Sequence, residues 1–323
     1  MSFENALNNF CELALKYPGI ISDSLTLNPK AKLKHVVFSS IIHGNEIGSI
    51  PGVVSAVKKI SSNNQYEDIK ITFILGNKNA ALQNMRYIER DLNRSFDTES
   101  TDTAEHKRAK EIEKILNTAN IFVDFHQTIM PSQSPFYIFP FHAQSYYWAR
   151  TIHASKKLVT RSQGESFSPL GKCSDEYCHN RDIPAITIEL GQAGINPETT
   201  QSVEDIIFKT LDAASLIIKS HKIEDLSSKS EEIDIYLIKK RLKFEKRDVR
   251  LKEGFYNFCP ISSGELIGKD EDTQESIFSE MNGYTLFPAY PEKKGDGYYN
   301  PKKFDTLLHV VQKSNEFLSE HLP

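Results

Sequence analysis

The chain has 323 residues, of which 39% are hydrophobic and 25% charged, with 15 Gly, 14 Pro and a formal net charge of -4. This is the composition of an ordinary folded protein, which excludes collagen-like and disordered classes, and the length leaves room for about two domains. The slight acidic balance offers no field for nucleic acid or an anionic membrane, and no apolar run approaches the ~20 residues that a bilayer crossing needs.

In chain order, the first residues read as an amphipathic helix, with Phe3, Ala6, Leu7, Phe10 and Leu13 at helical intervals. Acids and amides stand where a secretory leader would have a basic start and a continuous apolar stretch. The four cysteines, Cys11, Cys173, Cys178 and Cys259, form no C-x-x-C pair and read as reduced thiols, so a cytoplasmic location is expected.

From residue 35 apolar strands alternate with helices: strands over 35–42, 69–76, 121–126 and 185–190, and helices over 50–60, 104–119 and 204–219. The expected fold class is α/β, a mixed, mostly parallel sheet flanked by helices, whose active site gathers at the carboxyl ends of strands. Residues 222–234 are polar and serine-rich, as in a linker, and short glycine-punctuated β segments follow. The expectation is an α/β catalytic domain over 1–228 and a smaller β-rich domain over 229–323. The latter should end in an amphipathic helix over 302–322 carrying Phe304, Leu307, Leu308, Val311 and Phe317 on one side.

Four segments carry chemistry. His43-Gly44-Asn45-Glu46 follows the first strand, and an i, i+3 pair in a turn can converge on one metal ion, with Gly44 permitting an unusual backbone angle. Asp124-Phe125-His126 ends another apolar strand. His126 would complete a two-His, one-Glu set with an open fourth position, the catalytic form of a zinc site, while Asp124 would fix the tautomer of that imidazole. Glu189, at the end of the apolar run AITIELG, is a carboxylate that burial would penalise unless it served a site, and it suits a general base. The run from Asn84 to Asp97 holds Arg86, Arg90 and Arg94 interleaved with Asn93, a pattern suited to carboxylate recognition.

Together HGNE, RYIERDLNRSFD, DFHQT and ITIELG resemble the succinylglutamate desuccinylase/aspartoacylase family, zinc amidohydrolases on a zinc-carboxypeptidase fold, in order over residues 35–195. GFYNFCPISSGELIG and Gly297-Tyr298-Tyr299 resemble that family's C-terminal segment more weakly. The resemblance implies one Zn²⁺ per chain held by His43, Glu46 and His126, with Glu189 as base and proton shuttle. It further implies that Arg86 polarises the scissile carbonyl, that Asn93 and Arg94 clamp an α-carboxylate, and that Tyr298 reaches the substrate. The implied partner is a small N-acyl amino acid. A zinc carboxypeptidase acting on short peptides or cell-wall fragments would use the same four segments and stays open beside it. Lys172, Arg181 and His179 are candidates for a basic group facing the acyl-side carboxylate. The aromatic run from Phe136 to Phe141 and Trp148 read as core rather than as pocket lining.

Overall fold

The computed structural model describes residues 1–63, 66–161, 165–242, 249–270, 273–290, 306–314 and 316–322, together with the backbone of 292–294 and 297–299. Two compact units are present, one of residues Met1–Gln127 and Pro135–Ile233, the other of Thr128–Ser134 and Asp234–Pro323.

The first unit runs α1 (Phe3–Lys16), β1 (Ser24–Leu27), β2 (Lys34–Ser40), α2 (Ile50–Asn63), β3 (Ile69–Leu75), α3 (Lys78–Leu82), α4 (Ala104–Leu116), β4 (Ile121–Thr128), β5 (Phe136–Ile138), α5 (Ala143–Ile152), β6 (Lys157–Thr160), α6 (Ser174–His179), β7 (Ala185–Gln192), α7 (Pro197–Ile218) and α8 (Ile223–Ser227). The strands lie in the order β1-β3-β2-β4-β7-β5-β6. Strand β2 is parallel to both β3 and β4, and β5 is parallel to β6, while β1 and β5 run antiparallel to β3 and β7. This is the mixed, largely parallel sheet with flanking helices that the alternating pattern predicts. The helices start on the caps the sequence supplies: Thr103 accepts the His106 N–H ahead of α4, and Asn196 accepts the Thr199 N–H ahead of α7, with Pro197 at its first turn.

The register fixes two faces. Phe38 stacks on Phe73 and Phe125, with ring centroids 5.2 and 6.1 Å away, so these residues share one face of the central strands. The alternate residues Val37 and Phe122 turn to the other face, where they join Ile112, Ile115 and Leu116 of α4 and Tyr177 and Cys178 of α6 in one core cluster. Asp124 and His126 follow Phe122 at steps of two, so β4 sends them toward that same helical layer.

The second unit contains β8 (Asp234–Leu242), β9 (Val249–Leu251), β10 (Pro260–Ile261), β11 (Leu266–Asp270), β12 (Ser276–Phe278), β13 (Gly283–Leu286), β14 (Glu292–Lys294), β15 (Gly297–Tyr299), β16 (Leu308–Lys313) and α9 (Phe317–His321). Its strands are ordered β8-β16-β13-β10, β12-β11-β9 and β14-β15.

Two local expectations are corrected. The segment over 302–322 is not one amphipathic helix: its described part is β16, paired antiparallel with β8 and β13, followed by the single turn of α9. Leu308 to Val311 are all buried, so the strand is covered on both sides, and the β-branched pair Val310-Val311 suits that setting better than a helix. The polar stretch 222–234 contains α8, whose Ile223 and Leu226 are buried.

His35 of β2 is buried with both ring nitrogens satisfied: Nδ1 lies 3.1 Å from the Thr118 carbonyl and Nε2 2.9 Å from Thr72 Oγ1. Burial, with Lys70 nearby, lowers its pKa to about 4, so the fold holds it neutral. A base whose folded pKa is depressed stabilises fully above its unfolded value of about 6.5 and loses that contribution as pH falls toward about 4, a change of about 3 kcal/mol. Urea unfolding at pH 7.5 and pH 4.5 should therefore show a steeper acid loss of stability in the wild type than in His35→Gln.

Candidate metal and catalytic centre

The loop after β2 makes the first half of the centre. Its sharp turn is taken by Ile41, at φ 52°, and secured by Gly76 and Asn77 N–H groups donating to the Ser40 and Ile41 carbonyls at 2.8 Å. Gly44, expected to relieve the backbone, has a different reason: a Cβ there would stand 2.4 Å from the Ala81 nitrogen, so glycine is needed for close approach to α3. Glu46 N–H donates to the His43 carbonyl at 3.0 Å, which brings the two side chains to one side of the turn.

His43, Glu46 and His126 meet. One ligand atom from each lies within 4.8 Å of the others, and all three residues are buried. Glu46 Oε1 is 2.8 Å from His43 Nδ1, Glu46 Oε2 is 2.9 Å from His126 Nδ1, and the two Nδ1 atoms are 3.2 Å apart. Behind His126, Nε2 is 3.0 Å from Asp124 Oδ2, which is acceptor only, so that nitrogen donates and the Nδ1 lone pair of a neutral ring faces the Glu46 carboxylate and His43. Lone pairs converging in a buried space require a proton or a cation between them. Burial opposes charge on both partners. The imidazoles nonetheless hold the Glu46 carboxyl well below its ordinary range, and Asp124 and Glu46 hold His126 well above its own. Two nitrogens and one carboxylate are a donor set that suits zinc.

Arg86 and Asp91 form the wall beside this cluster. Asp91 Oδ2 accepts from Arg86 Nε at 3.1 Å, and Asp91 Oδ1 lies 3.2 Å from His43 Nε2 and accepts the Asn93 N–H at 2.8 Å. Arg86 Nη2 approaches His43 Nε2 at 2.7 Å while about a third of its side chain remains exposed. Arg94 is anchored through Nη1 on the Asn93 carbonyl at 2.5 Å and on Cys173 Sγ at 3.1 Å, with its guanidinium over the Phe167 ring. Asn93 Oδ1 accepts the Ser174 N–H at 2.9 Å.

Glu189 lies in β7 opposite Phe136 and is only 7% exposed. Its Oε2 is buried without a hydrogen-bond partner among the described residues. Burial, reinforced by the Glu46 charge, pushes its carboxyl up to about 8, with His126 and Arg86 pulling the other way, so Glu189 is in electrostatic reach of all three.

The candidate basic groups for an acyl-side carboxylate are otherwise engaged. Lys172 Nζ and Arg181 Nη2 both pair with Asp97, at 2.5 and 2.9 Å, and burial lowers His179 to about 3, leaving it neutral. The aromatic run is core: Phe136, Tyr137, Phe139 and Phe141 are buried, as is Trp148. Tyr298 belongs to β15 by its backbone, and its side chain lies outside the described residues.

Three contributors had no role in the sequence reading. Asp91, visible there only as a letter in the arginine run, joins Arg86 to His43. Gln127 donates its N–H to Glu46 Oε2 at 3.0 Å, and its side chain accepts from Gly48 N–H and donates to the Gln192 and Gly194 carbonyls. Glu105 of α4, 2% exposed, accepts the N–H groups of Ile88, Glu89 and Arg90 and the Asn77 amide. No local sequence signal marks these contacts, since each closes only when distant elements pack.

The architecture and the cluster define an α/β protein with a two-histidine, one-carboxylate centre at the ends of parallel strands. Residues 32–214 match the model of the succinylglutamate desuccinylase/aspartoacylase catalytic domain, and the chain belongs to that family. A succinylglutamate desuccinylase of Vibrio parahaemolyticus is 26% identical over 294 residues, spanning 83% of this chain and 80% of the relative. The X-ray structure of a Vibrio parahaemolyticus succinylglutamate desuccinylase superposes with a TM-score of 0.66 at 20% identity, covering 90% of this chain and 86% of the other. Murine aminoacylase 3 superposes at 0.64 with 18% identity over 87% of this chain and 96% of that one.

Glu105→Ala should release the latch on residues 88–90. The three amides lose a charged acceptor, a change of about 3 kcal/mol, read as lower urea stability together with faster hydrogen exchange at Ile88, Glu89 and Arg90 than elsewhere.

Proposed function

We propose that this protein is a zinc-dependent amidohydrolase that cleaves the amide bond of an N-acyl amino acid. The observation that carries this reading is the meeting of His43, Glu46 and His126 around one point, with a carboxylate oxygen of Glu189 that has no hydrogen-bond partner among the described residues buried within their field. Zinc bound there supplies Lewis-acid polarisation of a carbonyl and acidifies water. His43, Glu46 and His126 would hold it, and Asp124 would keep His126 in the tautomer that presents Nδ1.

Glu189, whose carboxyl is raised by burial and by the Glu46 charge and is ionised when a divalent charge offsets the latter, would take a proton from the attacking water and return it to the departing amide nitrogen. Arg86, held by Asp91 and reaching Glu46 Oε1 at 3.5 Å through Nη1 while about a third of its side chain stays exposed, stabilises the oxyanion that forms at the carbonyl, roughly 3 to 4 kcal/mol for a well-aimed donor. Asn93 and Arg94 clamp the α-carboxylate of the amino-acid half, and the anchoring of Arg94 by Cys173 and the Asn93 carbonyl pre-sets its planar fork for that task. The catalytic machinery falls within residues 1–228, with 229–323 as an accessory β-rich domain. Among the described residues no helix is long and apolar enough to cross a membrane, and the four cysteines are free thiols, in keeping with a cytoplasmic enzyme.

Relatives named succinylglutamate desuccinylase make N-succinylglutamate the first substrate to assay, beside N-acetylated amino acids and dipeptides. Turnover confined to dipeptides would replace this reading by the carboxypeptidase one. Chelation should abolish turnover and zinc should restore it; full activity in metal-free protein would remove the ion from the reaction. Glu189→Gln should bind zinc as the wild type does while kcat falls roughly 10²–10⁴-fold, measured by amine release under saturating substrate.

A further inference from the structure

Ser174 is the first residue of α6, one past the N-cap Cys173, and its polar atoms bond outside the helix. Its Oγ donates to Asp124 Oδ2 at 2.7 Å in β4, and its backbone N–H donates to Asn93 Oδ1 at 2.9 Å in the arginine-rich loop. The residue is 0% exposed, and both bonds leave the helix for opposite sides of the centre.

These two bonds close a continuous path. His43 Nε2 lies 3.2 Å from Asp91 Oδ1, which accepts Asn93 N–H at 2.8 Å. Asn93 Oδ1 accepts from Ser174, whose hydroxyl reaches Asp124 Oδ2, and that same oxygen lies 3.0 Å from His126 Nε2. The other Asp124 oxygen accepts from Ser39 Oγ. Each imidazole is thus backed by one carboxylate, and Asn93 and Ser174 tie the two carboxylates together. The start of α6 is itself held down, because Glu176 accepts the Cys173 N–H at 2.8 Å and pairs with buried Arg161 at 2.6 Å.

We propose that Ser174 is a positioning residue that sets the aim of His126 through Asp124 and ties it to the Asn93 side of the centre, so that ion affinity depends on a hydroxyl that touches neither ion nor substrate. The proposal rests on the zinc reading above. A carboxylate that loses one of three donors can rotate about Cβ, and its imidazole turns with it; partners of this kind change metal affinity about 10–100-fold when removed.

The test is zinc affinity of the full chain, measured by competition with a chromophoric chelator, for the wild type, Ser174→Ala, Ser174→Cys and Ser174→Thr, with the metal-free thermal melt of each as the control for folding. Ser174→Ala should weaken zinc about 10–100-fold, Ser174→Cys, nearly isosteric but a poor donor, should weaken it in the same direction, and Ser174→Thr should recover most of the loss. A purely structural serine would move the metal-free melt and leave the affinity alone. Wild-type affinity in folded Ser174→Ala, or in Ser174→Cys should the alanine variant not fold, overturns the role of Ser174 alone. A wild type that takes up no stoichiometric zinc overturns the metal reading along with it.

Discussion

The Glu46 carboxylate imposes the constraint on which the rest of the centre depends. It is buried, both oxygens face imidazole nitrogens, and a buried charge of this kind persists only when its surroundings repay several kcal/mol of lost hydration. The repayment comes partly from its own turn, which gives His43, and partly from a remote element: the end of β4 gives His126, and the Gln127 N–H adds a neutral donor. Removing any one leaves the others with uncompensated polarity, so these residues form a unit whose contributions do not add.

A second layer distributes the same burden outward. Asp91 carries Arg86 and His43, while Asp124 carries His126, Ser39 and Ser174. The loop that bears Arg86 and Asp91 has few apolar anchors of its own; Met85, Tyr87 and Ile88 are exposed. It is held instead by Glu105, whose carboxylate gathers successive backbone N–H groups. A precise wall is thereby built from a segment that hydrophobic packing alone would leave loose.

The α/β class was legible because apolar runs at strand length alternate with helical periods, and because buried parallel strands tolerate few polar residues other than those with a task. His43, Glu46 and His126 stood out for that reason: each follows an apolar run where hydrophobic continuity ends. The segment over 302–322 misled because Leu307, Leu308 and Val311 fit a helical stripe by spacing, although Leu308 to Val311 are buried on both sides of a strand. Pairing with β8 and β13 decided its state, and pairing partners are not written locally. Lys172 and Arg181 read as available for a ligand; Asp97, some eighty residues away from both, engages each of them in an ion pair. Ser174 and Glu105 were silent for the same reason, since their bonds exist only after α4 and α6 dock.

The stack of Phe38, Phe73 and Phe125 has a consequence beyond cohesion. Residues of β4 alternate between faces, so seating Phe125 against Phe38 obliges Asp124 and His126 to project from the reverse side, and sliding the strand by one position would exchange them. An oily contact with no chemistry of its own thus acts as the index mark for the ligand set. Repacking among these three rings is therefore a route by which drift in the greasy layer could silence the centre while every polar residue stayed in place.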